Sequence, residues 1–321
     1  MIKYILKRLV VLIPVLLCVA ILIFTLMFFI PGDVAVLTLG SSATQAEIDA
    51  FNQAYGLDQP YLTRLGSFLY NMVFHLDFGN SYTYGTSVMS DILARFPYTV
   101  LIAFVSTIIS TVIGIPLGVS CAVHANKLFD RISMVITLLF NSIPGFWLAL
   151  LLIQFFAVKL QILPSYGFET WQCYVLPCVA NAMASVAALA RQTRASMLEV
   201  IRSDYVTTAR AKGLKSMRVL YHHALPNGLI PVVTAVGSHF SALLGGAIII
   251  ETIYSIPGLG TYMTTAINKR DYPSVQGSIV FIALVQSIMI IVIDVIYAMV
   301  DPRIKDQYSG GKKKKKEAKA G

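Results

Sequence analysis

Six long apolar runs, nearly free of Asp, Glu, Lys and Arg, divide this sequence: residues 9–32, 96–129, 132–158, 170–190, 219–250 and 272–293. A helix needs about 20 apolar residues to cross a bilayer, and each run is that long. The last continues past Asp294 towards Val300. The runs predict an all-α polytopic membrane protein of about six spans. Composition agrees, with 56% of residues hydrophobic and only 13% charged and a mean hydropathy of +0.71, outside the range of soluble domains.

The distribution of charge orients the spans. With the N-terminus inside, 20 of the 25 Lys and Arg residues fall on the inner side. Arg64, Arg95, Lys159, Lys269 and Arg270 are left outside. The positive-inside bias therefore predicts that both termini are cytoplasmic. The net charge of +9 is explained in this way, and no basic patch interleaved with aromatics suggests a nucleic-acid partner. Lys3, Lys7 and Arg8 precede the first run as in a signal peptide. That run reaches Ile30 with no small-residue cleavage site, so a retained first span, 1–30, is expected. Cys18, Cys121, Cys173 and Cys178 match neither a zinc pattern nor a disulfide framework and read as small packing residues, Cys173 the one with an external position.

Between the spans the chain is punctuated. Residues 31–96 form a polar segment expected outside. Within it Thr44 and Glu47 make a capping box for a helix through Ala54. Gly56 ends that helix, and Asp58-Gln59-Pro60 starts another through about Phe74. In the second span, Gly114 and Gly118 have the spacing that lets helices pack closely in lipid. Asn141, Pro144 and Trp147 mark a kink in the third. The fourth is rich in Ala and Ser and should pack tightly. The fifth begins at about Pro231.

Residues 199–231 are a basic stretch between apolar ones. Asp204 or Ser203 can cap a short helix there, which Gly213 can end in the left-handed conformation. Arg210 and Lys212 sit in its last turn, where the helix dipole favours cations. Ser216 can cap a second helix that runs to Leu225 and stops at Pro226. Tyr205, Val206, Ala209 and Gly213 share one face, small enough at its end for another protein to approach closely. The tail, 306–321, with five consecutive lysines, is expected to be disordered and drawn to anionic membrane lipid.

Ala209, Gly213, Leu225 and Pro226 keep the spacing of the coupling motif of ABC-transporter permeases, and the string DYVTTARAKGL (204–214) resembles the dipeptide/oligopeptide/nickel branch. The chain departs from that motif at Thr207, Thr208 and His223. PGD (31–33), GLDQP (56–60), LDFGNSY (76–82), IGIPLGV (113–119), NSIPGFW (141–147), SIPGLG (255–260) and RDYPSVQG (270–277) are similar to strings of the same branch. The resemblance runs from Met1 to about Lys305. It implies a type I importer permease fold, a domain at 97–305, and a bacterial inner-membrane location. It also implies four kinds of protein partner or contact: a homologous second permease, two ABC ATPase subunits, an external solute-binding protein and the surrounding lipid. Asp204, Tyr205, Ala209, Arg210, Lys212, Gly213, Leu225 and Pro226 would then form the ATPase-coupling region.

The chemistry of an ATPase is not visible. Gly213-Leu214-Lys215-Ser216 lacks the order and spacing of a P-loop, so ATP and Mg are expected only on partner subunits and no cofactor or metal on this chain. No Ser/His/Asp set or carboxylate pair suggests catalysis. Asn141, Trp147, Gln154, Asn181, His239 and Gln286 are candidates to line a pathway, each equally suited to packing or an interhelical hydrogen bond. Asp294 and Glu251 read as structural anchors, with Arg191 or Arg194 the expected partner of Asp294. Three functions follow: a peptide importer permease, a nickel or metal-chelate permease of the same branch, and an ion-gradient-driven secondary transporter. The last would carry inverted repeats and paired mid-membrane acids, and neither is visible.

Overall fold

The computed structural model describes residues 2–40 and 42–300. The basic tail and the Asp301-Pro302-Arg303 end of the resemblance lie outside these. Among the described residues the chain is helical, with one isolated antiparallel bridge between Asn80 and Ser87. Helix α1 (Ile2–Phe28) leads to three short helices, α2 (Val34–Leu39), α3 (Gln45–Ala54) and α4 (Tyr61–His75). Then come α5 (Val88–Val123), α6 (Leu128–Ser142), α7 (Gly145–Leu152), α8 (Val175–Ile201), α9 (Asp204–Ala211) and the single turn α10 (Ser216–Arg218). The chain finishes with α11 (Leu225–Gly246), α12 (Ile248–Ile253), α13 (Leu259–Asn268) and α14 (Tyr272–Val300). Five stretches are long and apolar enough to cross a membrane, and the bent pair α6–α7 makes up to six.

Sequence sets several boundaries. The Thr44–Glu47 capping box forms: Thr44 N–H donates to Glu47 Oε2 at 2.7 Å, and Glu47 N–H to Thr44 Oγ1 at 3.4 Å. Gly56 follows α3 at φ +63°, a conformation that costs an L-residue more than glycine. Asp33 caps α2, which the sequence reading left as loop, by accepting from Ala35 N–H at 2.9 Å.

The third apolar run bends at Pro144, where its sequence marks a kink, and far more sharply than an ordinary proline kink. α6 and α7 meet at a bend of 100°. Ile143, directly before Pro144, is extended (φ −77°, ψ 123°), as the proline ring requires of its predecessor. The fifth run differs too, because no helix stops at Pro226. From Val219 the chain passes through a π-helical stretch, Val219–Ala224, straight into α11. Leu225 N–H reaches back to Leu220 O. This wider turn relieves the clash a proline ring makes with the carbonyl four residues earlier.

Helix α8 is the most buried of the long helices. It carries Ala180, Ala182, Ala187 and Ala190 inward, and α5 lies along it. A Cβ at Gly114 would meet Leu189 Cβ and Val186 O at 3.0 Å, and one at Gly118 would stand 2.6 Å from Thr193 Cβ. Gly114 and Gly118 thus bring the α5 and α8 backbones together, as their spacing predicts. All four cysteines are free; Cys121, Cys173 and Cys178 are buried and Cys18 is exposed.

Candidate functional site

The region 199–231 forms the end of the bundle where α5, α8 and α11 converge. Ser203 takes the capping position of α9 with extended backbone, but its hydroxyl donates to Val200 O at 2.6 Å and caps no N–H. Asp204 sits in the first turn, where the dipole favours a carboxylate. The helix ends as its sequence predicts. Gly213 has φ +76°, and its N–H donates to Arg210 O at 2.9 Å.

The orientation of α9 corrects the sequence reading. Val206 and Ala209 do not offer a face to another protein. Both are buried in a cluster with Val119, Ala122, Met197, Val219 and Ala224. Leu225 packs against the same cluster, while Pro226 is exposed. Ala209 is small because α9 lies directly on this floor. The outward surface instead carries Asp204, Tyr205, Arg210, Lys212 and Gly213. Met217 and Tyr221 continue it, 65% and 55% exposed. Sequence reasoning missed both; their signal was a pair of large apolar side chains four residues apart inside a basic stretch. Arg210, Met217 and Leu220 rim a recess of about 150 Å³ over Val206 and Ala224.

This end is braced from both sides. Ser196 Oγ donates to Gly228 O at 2.7 Å, and Gly228 packs so closely on Met197 that a Cβ there would overlap its sulfur. Asp130 in the first turn of α6 is buried and accepts from Arg194 Nε at 2.5 Å and Nη2 at 2.7 Å. It also takes a bond from Asn126 N–H at 2.8 Å. Arg191 donates to Thr137 O at 3.3 Å and Asn141 Oδ1 at 3.1 Å. The expected pairing of Asp294 with Arg191 or Arg194 is therefore corrected. Asp294 Oδ2 meets Arg8 Nη2 at 2.8 Å, because α14 lies beside α1 and not beside the end of α8.

At the opposite end the family-like strings meet one another. Asp271, from RDYPSVQG, is buried and accepts from Ser81 Oγ at 2.5 Å, Tyr82 N–H at 3.0 Å and Ser274 Oγ at 2.9 Å. It thus holds the LDFGNSY string. Arg270 Nη1 donates to Pro31 O at 2.6 Å, tying down PGD. Glu251 Oε2 accepts from Gly260 N–H at 2.6 Å and Thr261 N–H at 3.3 Å at the start of α13. A Cβ at Gly258 or Gly260 would collide with that carboxylate, which gives SIPGLG its glycines.

The six candidate pathway residues are not gathered into one site by any hydrogen bond or ring contact among them. Asn141 on α6 is engaged by Arg191. Trp147 on α7 and Gln154 beyond it are exposed. Asn181 on α8 has Nδ2 buried without a protein partner. His239 on α11 is half-buried, and Gln286 on α14 packs onto Gly245.

Comparison with known proteins bears on this arrangement. Residues 114–306 match the family described as binding-protein-dependent transport system inner membrane component. Residues 1–103 match its N-terminal companion. The chain is 39% identical over 305 residues to the glutathione transport system permease protein GsiC of Escherichia coli K12, covering 95% of this chain and 99% of that one. It is 39% identical over 309 residues to a putative peptide transport system permease protein of Brucella abortus, covering 94% and 98%. In fold it is similar to the MetNI methionine ABC transporter in inward-facing conformations. Two crystal forms give TM-scores of 0.55 and 0.56 at 22% and 24% identity, over 66% of this chain and 97% of that one.

Proposed function

The chain belongs to the binding-protein-dependent inner-membrane transport components of ABC importers, as a multi-pass permease subunit of type I fold, and from that membership we propose that it carries peptides inward and is driven through the outward surface of α9. The observation that carries the coupling role is the division of α9. Val206 and Ala209 fasten it to the bundle, while Tyr205, Arg210 and Lys212 stand free beside Met217 and Tyr221. A short helix seated on a close-packed floor transmits a push without bending.

In this reading two separate ATPase subunits bind and hydrolyse ATP with Mg. One of them docks on the α9 surface, a second homologous permease completes the pathway, and an external binding protein delivers cargo. Both termini face the cytoplasm, on the side of α9. The relatives named for glutathione and peptide transport support a small-peptide cargo. The test is ATP hydrolysis by the purified assembly in vesicles, with a peptide-loaded binding protein added outside. Stimulation is expected, and loss of stimulation in Gly213→Trp, because an L-residue at φ +76° strains the end of α9 and the indole, with open space around it, would stand on the docking surface. Stimulation only by a nickel-loaded binding protein would replace the cargo. Uptake that follows a proton gradient with no ATPase present would overturn the reading.

A further inference from the structure

Helix α4 has three faces, and two are accounted for. Tyr61, Phe68 and Met72 pack inward. Tyr61 hydroxyl bonds with Thr25 Oγ1 at 2.7 Å and its ring stands 4.9 Å from Phe28, while Phe68 stacks on Phe24 at 5.4 Å. Arg64, Ser67 and Asn71 line a polar recess of about 310 Å³ shared with Tyr82 and Gln276. The third face is apolar and bare: Leu62, Tyr70 and Val73 are 76%, 56% and 48% exposed, with Phe74 beside them at 71%. Its residues 62, 66, 70 and 73 follow helical spacing.

The depth of this face can be read from its neighbours. α1 and α14 lie side by side, with Arg8 against Asp294 at one end. The 21 residues from Arg8 to Phe28 rise about 30 Å, which is the thickness of a hydrocarbon core. Counting back from Asp294, Gly277 lies about 25 Å up the same axis. Gly277 is where Phe78, just after α4, packs: a Cβ there would be 3.0 Å from Phe78. The start of α4 is held at Thr25 and Phe28, and its far end is held near the level of Gly277. The whole helix therefore sits at or below the outer end of α1, within the span and not above it. Alongside, α1 exposes Leu22 and Leu26, and Phe29 follows at its end, an apolar surface on a helix long enough to span beside the bare face of α4.

We propose that α4 is a membrane-seated helix, with its Leu62–Tyr70–Val73 face covered by acyl chains of the leaflet opposite the coupling helix and its Arg64–Ser67–Asn71 face turned to the polar recess. Such a helix fixes the height of the 31–87 segment relative to the bilayer by the burial of one amphipathic face. The segment is then anchored to lipid as well as to α14.

The test places a single tryptophan on each face. Trp147 and Trp171 are both exposed and are first replaced by Phe. Leu62→Trp, Val73→Trp and Ser67→Trp are then made singly in the assembled transporter, in vesicles of phosphatidylethanolamine and phosphatidylglycerol. At positions 62 and 73 emission should be blue-shifted, quenched by lipids brominated on their acyl chains, and insensitive to iodide. At position 67 iodide should quench and brominated chains should not. Iodide quenching at 62 and 73 equal to that at 67 would overturn the proposal. So would protection of 62 and 73 from both quenchers, which would mean that a partner protein covers the face. Two independent positions guard against one variant misfolding.

Discussion

Asp130→Ala should be among the most damaging single substitutions at the coupling end. The Asp130 side chain is 2% exposed and accepts two charge-assisted bonds from Arg194 and one from Asn126 N–H. Removing one partner of a buried ion pair costs about 3–5 kcal/mol, because the other charge is left without compensation. The Arg194 side chain keeps 25% of its surface in solvent, so water can rescue part of the guanidinium. We therefore expect the low end, about 3 kcal/mol, roughly a hundredfold in the folding equilibrium. Arg194→Ala should cost a similar amount, since it strands a fully buried carboxylate. The double variant should cost much less than the sum, with a coupling of about 1.5–3 kcal/mol. The measurement is unfolding of the detergent-solubilised complex by added SDS, followed by intrinsic fluorescence, for the wild type, both singles and the double. Asp294→Asn serves as the control. Arg8 and Asp294 are 42% and 28% exposed, so that change should cost no more than about 1 kcal/mol and add independently to Arg194→Ala. Additive costs for Asp130 and Arg194, or coupling of Arg194 to Asp294 instead, would refute the reasoning.

Two substitutions on α9 should separate docking from packing. Tyr205→Ala removes an exposed ring and should lower peptide-stimulated ATP hydrolysis while leaving stability within about 0.5 kcal/mol. Ala209→Leu forces three more carbons into the floor under α9 and should destabilise by about 1–3 kcal/mol, read by the same SDS titration. At the other end, Asp271→Ala frees Ser81 and Tyr82, so limited proteolysis from outside should cut the 76–87 connection faster than in the wild type; an unchanged rate would mean that Asp271 is not the clamp.

The sequence made the large features legible because their signals are local. Apolar length marks the spans, the Thr44–Glu47 box starts α3, and a glycine at 213 ends α9 wherever the rest of the chain lies. Gly114 and Gly118 announced a close approach without naming the partner. What could not be read is which way each side chain turns once helices pack. Tyr205, Val206 and Ala209 looked like one docking face, yet the floor supplied by α5 and α8 claims Val206 and Ala209 and leaves Tyr205 outside. On paper Asp294 was the partner expected for Arg191 or Arg194, and Asp130 was not considered. The choice of Asp130 depends on the first turn of α6 folding back onto α8, a contact across 64 positions. Pro226 looked like a stop because a proline ends an ordinary α-helix; the π turn before it removes the reason.

The break at Pro144 gains meaning from what holds its two halves. The half on the side of α9, α6, is fastened to α8 twice, by Arg194 on Asp130 and by Arg191 on Thr137 and Asn141. The other half, α7, is fastened through Ala149, whose carbonyl accepts from the Tyr254 hydroxyl at 3.1 Å and whose side chain shares a core with Leu176, Cys178 and Ala180 of α8. A hinge at Pro144 would have to tear one of these sets. The 100° bend is therefore a fixed elbow that rides with α8, and α5 rides with it through Gly114 and Gly118. The same α8 runs into α9. Through α8, α9 is thus joined to α5 and the elbow, while α14 meets the bundle at Gly237 of α11, where a Cβ would stand 2.6 Å from Ile293, and meets α1 at the half-buried pair of Arg8 with Asp294. Asn141, which accepts from Arg191 Nη2 at 3.1 Å, is one of the fasteners between α6 and α8.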